Sequence, residues 1–241
     1  MIALAVTLSI YADRVLPTGS AALLALADQR LPSGGHVHSG GVEQAITDGL
    51  VHDVPTLERF LERRLSTTGL VTAGLAAAAC ASAATPDAVV ALHRLETETE
   101  ARTPSPAQRA ASRAQGRGLI RTAKAAWAAP SPTLNWSDLG PRPHHPLVLG
   151  CAAHAGGVAP AGAALVAAYL SVSAPSTAAQ RLLALDPVAV AAVTVHLGSA
   201  IETTARAAVP TTFTDLPDDS DPLLDLLAER HAAREERLFA S

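Results

Sequence analysis

The sequence is poor in cysteine, in aromatic residues and in charge, and each shortage excludes a class of protein. Its two cysteines, Cys80 and Cys151, lie far apart, so the chain has neither a disulfide framework nor a CxxC zinc motif, and a cytoplasmic location is expected. Aromatic residues make up 3% of the chain and charged residues 17%, with a formal net charge of −4. Because a nucleic-acid-binding protein needs a basic surplus to displace counterions, we expect no nucleic-acid partner.

Catalytic motifs are also missing from the sequence. It contains no GxSxG nucleophile elbow, no P-loop and no glycine pattern of a dinucleotide-binding fold. Cys80 lies in an alanine-rich apolar run, where a buried and unreactive thiol is the expected state. We therefore expect no catalytic residues, and the protein is predicted not to be an enzyme.

Two apolar stretches resemble export or membrane segments. Residues 1–12 lack the basic residues that open a secretory signal, and we expect residues 1–18 to be an N-terminal extension. Residues 146–173 carry no formal charge, but Gly156, Gly157 and Pro160 should divide them into two pieces, each too short to span a bilayer. We therefore interpret this stretch as a buried helical hairpin and expect no membrane partner. A membrane-associated helical protein built on this stretch is the alternative.

Proline after a capping residue marks the predicted starts of helices. An acceptor side chain precedes proline in four pairs, Thr85-Pro86, Ser105-Pro106, Asp186-Pro187 and Asp221-Pro222. Between these starts apolar residues recur at helical spacing, and no alternating strand pattern appears. We predict an all-α protein with a single helical domain of about nine or ten helices over residues 19–213. A linker, a last helix and a docking tail should follow in residues 214–241. The many alanines and glycines indicate close packing between helices.

The nine histidines raise the question of a metal site. Only His36-x-His38 and the pair His144-His145 are close in sequence, and neither has the spacing of a closed metal site. An HxH in a loop offers two ligands, so a stable site would need two more from elsewhere. The alternatives are a weak contact with nickel or copper at His36 and His38, for which imidazole is a suitable ligand, and a purely structural loop.

Two further features suggest contact surfaces. Arg109, Arg113, Arg117 and Arg121 recur at every fourth residue without an acid on the same helix, so this basic ridge faces solvent, an acidic partner surface or a phosphate. Near the C-terminus, the neighbours Leu238 and Phe239 are large and apolar where a chain end normally frays. They are predicted to dock into a groove, on the protein itself or on a partner.

Five segments together resemble the UreF family of urease accessory proteins. Residues 31–46, LPSGGHVHSGGVEQAI, resemble the family's LPxGGFxYSxGLExA, and the closing ERHAAREERLFAS resembles RHxxxxxRLFxS. AQRAASRAQGRGLIR, HPLVLGCAAHAGG and AYLSVSAPSTAAQRLLALD resemble its later helices. The matching positions that we take as candidate partner-binding residues are Gly34, Gly35, Ser39, Glu43, Arg109, Arg181, Arg230, His231, Arg237, Leu238, Phe239 and Ser241.

The resemblance implies an all-helical, dimeric chaperone subunit of urease maturation. Such a protein bridges an accessory protein of the UreD (UreH) type and a nickel-carrying GTPase of the UreG type, influences GTP hydrolysis by the GTPase, and helps to deliver nickel to apo-urease. No stably bound cofactor is implied, and nickel would only be in transit. The tail from Arg230 to Ser241 is expected to meet the UreD-type partner, and the glycine loop with the dimer surface is expected to meet the GTPase.

The sequence departs from the family pattern at three places. His36 and His38 stand where the family has Phe and Tyr, Pro106 replaces an arginine, and Asp186-Pro187 replaces Gly-Gln. We interpret the HxH as a variant of a structural loop. A stand-alone nickel-binding metallochaperone that uses His36 and His38 is the alternative function.

Overall fold

A computed structural model describes residues 18–32 and 38–240, and this part of the chain consists of helices and loops without a β-strand. The helices are α1 (Ser20–Ala27), α2 (Val42–Thr47), α3 (Val54–Arg64), α4 (Leu70–Ala83), α5 (Ala88–Ala101), α6 (Pro106–Ala126), α7 (His145–Ala155), α8 (Pro160–Leu183), α9 (Pro187–His196), α10 (Gly198–Ala208) and α11 (Pro222–Ala232). A π-helical turn, Leu65–Gly69, joins α3 to α4 as one continuous helix, Val54–Ala83, so the described residues form ten continuous helices. The predicted all-α fold is confirmed.

Most of the predicted helix starts are confirmed by capping bonds. The side chains of Ser105, Asp186 and Asp221 each accept a backbone N–H of the first helical turn. At the start of α3, outside the four predicted pairs, Asp53 forms a reciprocal capping box with Thr56. The prediction at Thr85 is wrong, because α5 begins three residues later, at Ala88. The Thr85 hydroxyl donates backwards to a carbonyl at the end of α4, so it completes that helix and does not open the next.

Helix α4 lies at the centre of the fold, packed against α5, α7, α8 and α10. Half of its buried residues are alanines, and α7 crosses it at Gly150. A Cβ atom at Gly150 would overlap the carbonyl oxygen of Ala76 and press on the backbone nitrogen of Cys80. Small residues at the crossing therefore let the two backbones approach closely, as the composition predicts. Both cysteines are free and buried in this core.

The apolar stretch 146–173 is divided as predicted, but one of its two pieces is longer than expected. Helix α7 ends at Ala155 and α8 begins at Pro160, and the two pack against each other. Helix α8 continues to Leu183 through an internal proline, so its 24 residues are long enough to span a membrane, and the prediction that both pieces are too short was wrong. The continuous helix Val54–Ala83 is also long and apolar enough to span a membrane. In both helices 61% of the most apolar 18-residue window is buried inside the fold, so most of these apolar residues pack against the rest of the protein.

Helix α11 packs on α6 and α2. Near its start, the buried carboxylate of Asp221 forms an ion pair with Arg63 of α3. Further along, Glu229 accepts the backbone N–H of Ala107 at 2.8 Å and the hydroxyl of Ser105, both at the beginning of α6. A carboxylate at that position satisfies free N–H groups and complements the helix dipole. Helix α11 is thereby held along its length, and the tail that follows starts from a fixed point.

Candidate functional site

The glycine-rich segment enters α2 through two residues with left-handed backbone. Gly40 and Gly41 have φ values of 61° and 90°, a region that favours glycine. The turn leaves Ser39 fully buried and places the first four residues of α2 between α8 and α11. Glu43 is one of these four, and only 4% of its surface is exposed.

The buried carboxylate of Glu43 holds the C-terminal tail. Its Oε1 accepts the backbone N–H of Leu238 at 2.9 Å, and its Oε2 accepts the backbone N–H of Phe239 at 3.0 Å. Oε2 also lies 2.8 Å from Nε2 of His231, which is itself 2% exposed. One carboxylate thus joins α2, the last turn of α11 and the tail beyond it.

These contacts change the acidity of Glu43. Burial is the largest single influence and acts to raise the pKa, but the N–H groups of Leu238 and Phe239 and the imidazole of His231 outweigh it together. The pKa of Glu43 is therefore held below its usual value. The side chain is ionised at neutral pH, and the hydrogen bonds from the tail are bonds to a charged acceptor, which are stronger than neutral ones.

Further contacts join the same face of α11 to α2. Arg230 Nη1 lies 2.7 Å from a carboxylate oxygen of Asp48, and Arg234 Nη1 donates to the hydroxyl of Thr47 at 3.0 Å. Thr47 in turn donates to the backbone carbonyl of Glu43 at 3.0 Å. The docking of α11 and the tail on α2 thus has a buried centre and a polar rim.

The tail presents two different apolar side chains. Phe239 is partly buried and packs against the hydrophobic core, whereas Leu238 is 82% exposed. Of the two docking modes that the sequence left open, the structure shows docking on the protein's own fold. The same docking turns Leu238 outwards in a fixed position.

A second support of the glycine turn comes from a proline inside α8. Pro175 has no N–H, so the carbonyl of Ser171 lacks its partner within the helix. Arg64 Nε donates to that carbonyl at 3.1 Å, and Arg64 Nη1 donates to the carbonyl of Gly40 at 2.9 Å. Burial lowers the pKa of Arg64 to about 10, which leaves it charged at neutral pH. Arg64 therefore links α8 to the turn that positions Glu43.

Comparison with known proteins bears on this arrangement. A family model described as UreF matches residues 51–198. A urease accessory protein UreF of Mycolicibacterium vanbaalenii is 53% identical over 221 residues, which cover 92% of this chain and 98% of that protein. Proteins of the same name from Mycobacterium marinum and Mycobacterium tuberculosis are 50% and 48% identical, each over 93% of this chain and 100% of the relative. The chain belongs to the UreF family.

The two end segments that resemble UreF motifs meet in this structure. Ser39 and Glu43 come from the glycine segment, and His231, Leu238 and Phe239 come from the closing motif. Other candidate partner-binding residues lie elsewhere: Arg109 is on α6, and Arg181 is exposed near the end of α8. Arg237 is exposed on the tail itself. Gly34, Gly35, His36 and Ser241 fall outside the described residues.

The predicted basic ridge is partly neutralised by a neighbouring helix. Arg109 Nε lies 2.9 Å from Glu100, and Arg113 Nη1 lies 2.6 Å from Glu96, both acids being on α5. Fully buried His144 joins the same network, with Nε2 at 3.0 Å from Glu100. No acid occurs on α6 itself, as predicted, but tertiary packing supplies the partners. The exposed end of the ridge is reduced to Arg117 and Arg121, for which the described part of the chain offers no ion pair.

Arg64 and Pro175 were not identified from the sequence as residues of this site. A proline inside a helical pattern indicates a free carbonyl four residues earlier, so Pro175 carried a usable signal. Nothing in the sequence indicates that Arg64 is the group that binds this carbonyl. No cluster of three or more His, Cys, Asp or Glu side chains suited to a metal ion occurs within residues 18–32 and 38–240.

Proposed function

We propose that this UreF-family protein is a non-catalytic bridging subunit in urease maturation. It connects a UreD/UreH-type accessory protein with a UreG-type GTPase, modulates GTP hydrolysis by that GTPase, and supports nickel delivery to apo-urease. The accessory role follows from family membership. The bridging role is supported above all by the docked tail, in which Glu43 fixes an exposed leucine at the surface.

The docked tail lowers the entropy cost of binding a partner. A short apolar anchor at a chain end would lose conformational freedom on binding a partner, and this loss weakens the complex. Here two backbone N–H groups and Phe239 are already bound to the fold. Most of the conformational entropy of the tail is therefore lost on folding, and Leu238 loses little more when a partner binds. We assign Leu238 as an anchor for the UreD-type partner, with Arg237 beside it.

Co-expression with the cognate UreD-type and UreG-type proteins tests this proposal. The full chain should co-purify with both, and deletion of residues 237–241 or the substitution Leu238→Asp should reduce recovery of the UreD-type protein about tenfold or more, as expected for a buried anchor. Val90→Asp is the matched control, because Val90 is 70% exposed on α5, away from the tail. GTP hydrolysis by the UreG-type protein is measured with and without the complex. A folded full chain that captures neither partner would refute the bridging role.

We also propose a homodimer in the cytoplasm, with nickel as cargo and without a membrane or nucleic-acid partner. The supporting surface is a groove of about 840 Å³ between α1, α8, α9 and α10, flanked by Leu24 and Val195, which are 69% and 76% exposed. Apolar grooves of this kind on a soluble protein mark association sites. Light scattering on the full chain should give twice the mass of 24.6 kDa, and Leu24→Asp or Val195→Asp should halve it. A monomer in the wild type would overturn the dimer.

A further inference from the structure

A largely buried cation without a carboxylate partner lies beside the glycine turn. Arg64 donates two of its N–H groups to backbone carbonyls, those of Ser171 and Gly40, at 3.1 and 2.9 Å. Because a guanidinium carries five N–H groups, three stay available. Within residues 18–32 and 38–240 no acid pairs with Arg64, and burial alone accounts for the fall of its pKa to about 10. A buried charge that only carbonyls solvate is costly, and an anion would compensate it.

This cation borders a cleft of about 350 Å³ that is walled by α4, α6 and α11. Arg64, at the end of α3, lines the cleft together with Gln115 of α6 and His145, the first residue of α7. His38, which is 6% exposed, also lines it. The fold thus brings polar side chains from distant parts of the chain into one cleft.

Two of these side chains offer neutral donors. In the part of the chain that the structure describes, neither the Gln115 amide nor the His145 ring takes part in a hydrogen bond. The backbone N–H of His145 donates to the hydroxyl of Ser112 at 3.2 Å, and Gln115 lies on the same face of α6, three residues further along. Burial, with His38 as the second cause, lowers the pKa of His145 to about 4, so its ring is neutral at physiological pH and keeps one N–H.

Most other charged side chains of the cleft are already paired. Besides Arg64, the cleft is lined by Arg102, Arg237, Asp219, Asp221 and Asp225. Asp221 forms an ion pair with Arg63, and Arg102 forms one with Glu98. These two pairs leave no net charge in the cleft.

The remaining charges leave the cleft positive inside. Asp225 accepts the side-chain amide of Gln108 at 3.1 Å, and burial raises its pKa, which weakens its negative charge. Arg237 and Asp219 are both exposed and have opposite charges. The uncompensated charge in the interior is therefore that of Arg64, which favours an anion over a cation.

We propose that this cleft binds a small ligand through a carboxylate or phosphate group, with Arg64 as the charged donor and Gln115 and His145 as neutral donors. A planar guanidinium matches two oxygens of either group, and hydrogen bonds between charged groups are the strong ones. The volume of the cleft lies in the range of small-molecule sites.

This inference goes beyond the proposed function and can fail separately from it. Glu43, which holds the tail, does not line the cleft, so capture of a partner by the tail requires no bound anion. Anion binding by the isolated chain and co-purification with partners are therefore independent measurements.

NMR titration of the full chain with inorganic phosphate alone, and separately with acetate alone, tests the site at constant ionic strength. The signal of the Arg64 Nε–H group should shift and saturate with at least one of the two anions. Gln115→Leu and His145→Phe should each weaken binding about tenfold or more, because each removes a hydrogen bond to a charged ligand. Neither side chain takes part in a hydrogen bond among the described residues, so both variants should fold, which circular dichroism verifies.

Arg206→Gln is the matched control, because this arginine is 68% exposed on α10 and does not line the cleft. Its affinity for the anion should equal that of the wild type. Tighter binding of phosphate would assign the site to a phosphorylated ligand, and tighter binding of acetate would assign it to a carboxylate.

Absence of saturation with both anions would overturn the site. So would equal affinity in the wild type and both cleft variants, or an equal loss in Arg206→Gln. A chain that binds neither anion but still captures its partners would leave the bridging function intact.

Discussion

Replacing Glu43 by glutamine should release the C-terminal tail while keeping the size of the side chain. The carboxylate accepts two backbone N–H groups from the tail, at 2.9 and 3.0 Å, and each hydrogen bond to a charged acceptor contributes about 1.5–3 kcal/mol. A carboxamide keeps one acceptor oxygen and turns an NH₂ donor towards the other N–H. We expect docking to weaken by about 2–3 kcal/mol, a shift of about thirty- to a hundredfold in the docking equilibrium.

Amide hydrogen exchange at Leu238 and Phe239 is the assay. If these amides exchange only when the tail opens, their exchange rates follow the docking equilibrium. Both rates should therefore increase about thirty- to a hundredfold. Glu236→Gln, on the exposed part of the tail, is the matched control and should leave both rates unchanged. Equal rates in Glu43→Gln and the wild type, with both folded, would refute the role of Glu43 as the docking centre.

Protonation of Glu43 should have the same effect as the substitution. Its pKa is lower in the folded protein, so the stabilisation is complete above the ordinary glutamate value and is lost as the pH falls through the lowered one. Tail exchange, corrected for the intrinsic pH dependence of amide exchange, should therefore be constant above about pH 4.5 and accelerate only below it.

Two further predictions concern the core and the cleft. Gly150→Ala should lower the free energy of unfolding by about 3 kcal/mol or more, because its Cβ would meet backbone of α4 that cannot move aside. Gly198→Ala is the control, since a Cβ there has free space and should leave stability unchanged or slightly higher. Thermal unfolding compares the two variants, and equal melting temperatures would contradict the close crossing. Because His145 stays neutral in the fold down to about pH 4, the unfolded chain takes up a proton first, and stability should fall by about 1.5 kcal/mol between pH 6.5 and pH 5. Urea unfolding at both pH values should show this loss in the wild type and not in His145→Phe, and parallel losses would refute it.

The helical fold could be predicted because its signals are local. Ser105, Asp186 and Asp221 cap helices whichever way those helices later pack, since the acceptor and the N–H groups lie within a few residues of each other. The prediction was wrong at Thr85, where the hydroxyl could either cap the following helix or donate to the preceding one. It donates to the carbonyl of Ser82 at the end of α4. Helix α8 was likewise predicted too short, because Arg64, which lies far away in the sequence, binds the carbonyl that the internal proline leaves free.

Sequence by itself determined the all-α class, most helix starts, the close packing through alanine and glycine, and the two end motifs by which the chain resembles the UreF family. Tertiary structure alone decided that Glu43 binds the tail, that α5 neutralises part of the basic ridge, and that Arg64 joins α8 to the glycine turn. Caps and apolar periodicity act over a few residues, whereas each of these contacts joins segments far apart in the chain. Only the packing of α11 on α2, the placement of α5 beside α6 and the packing of α3 on α8 bring those partners within hydrogen-bonding distance.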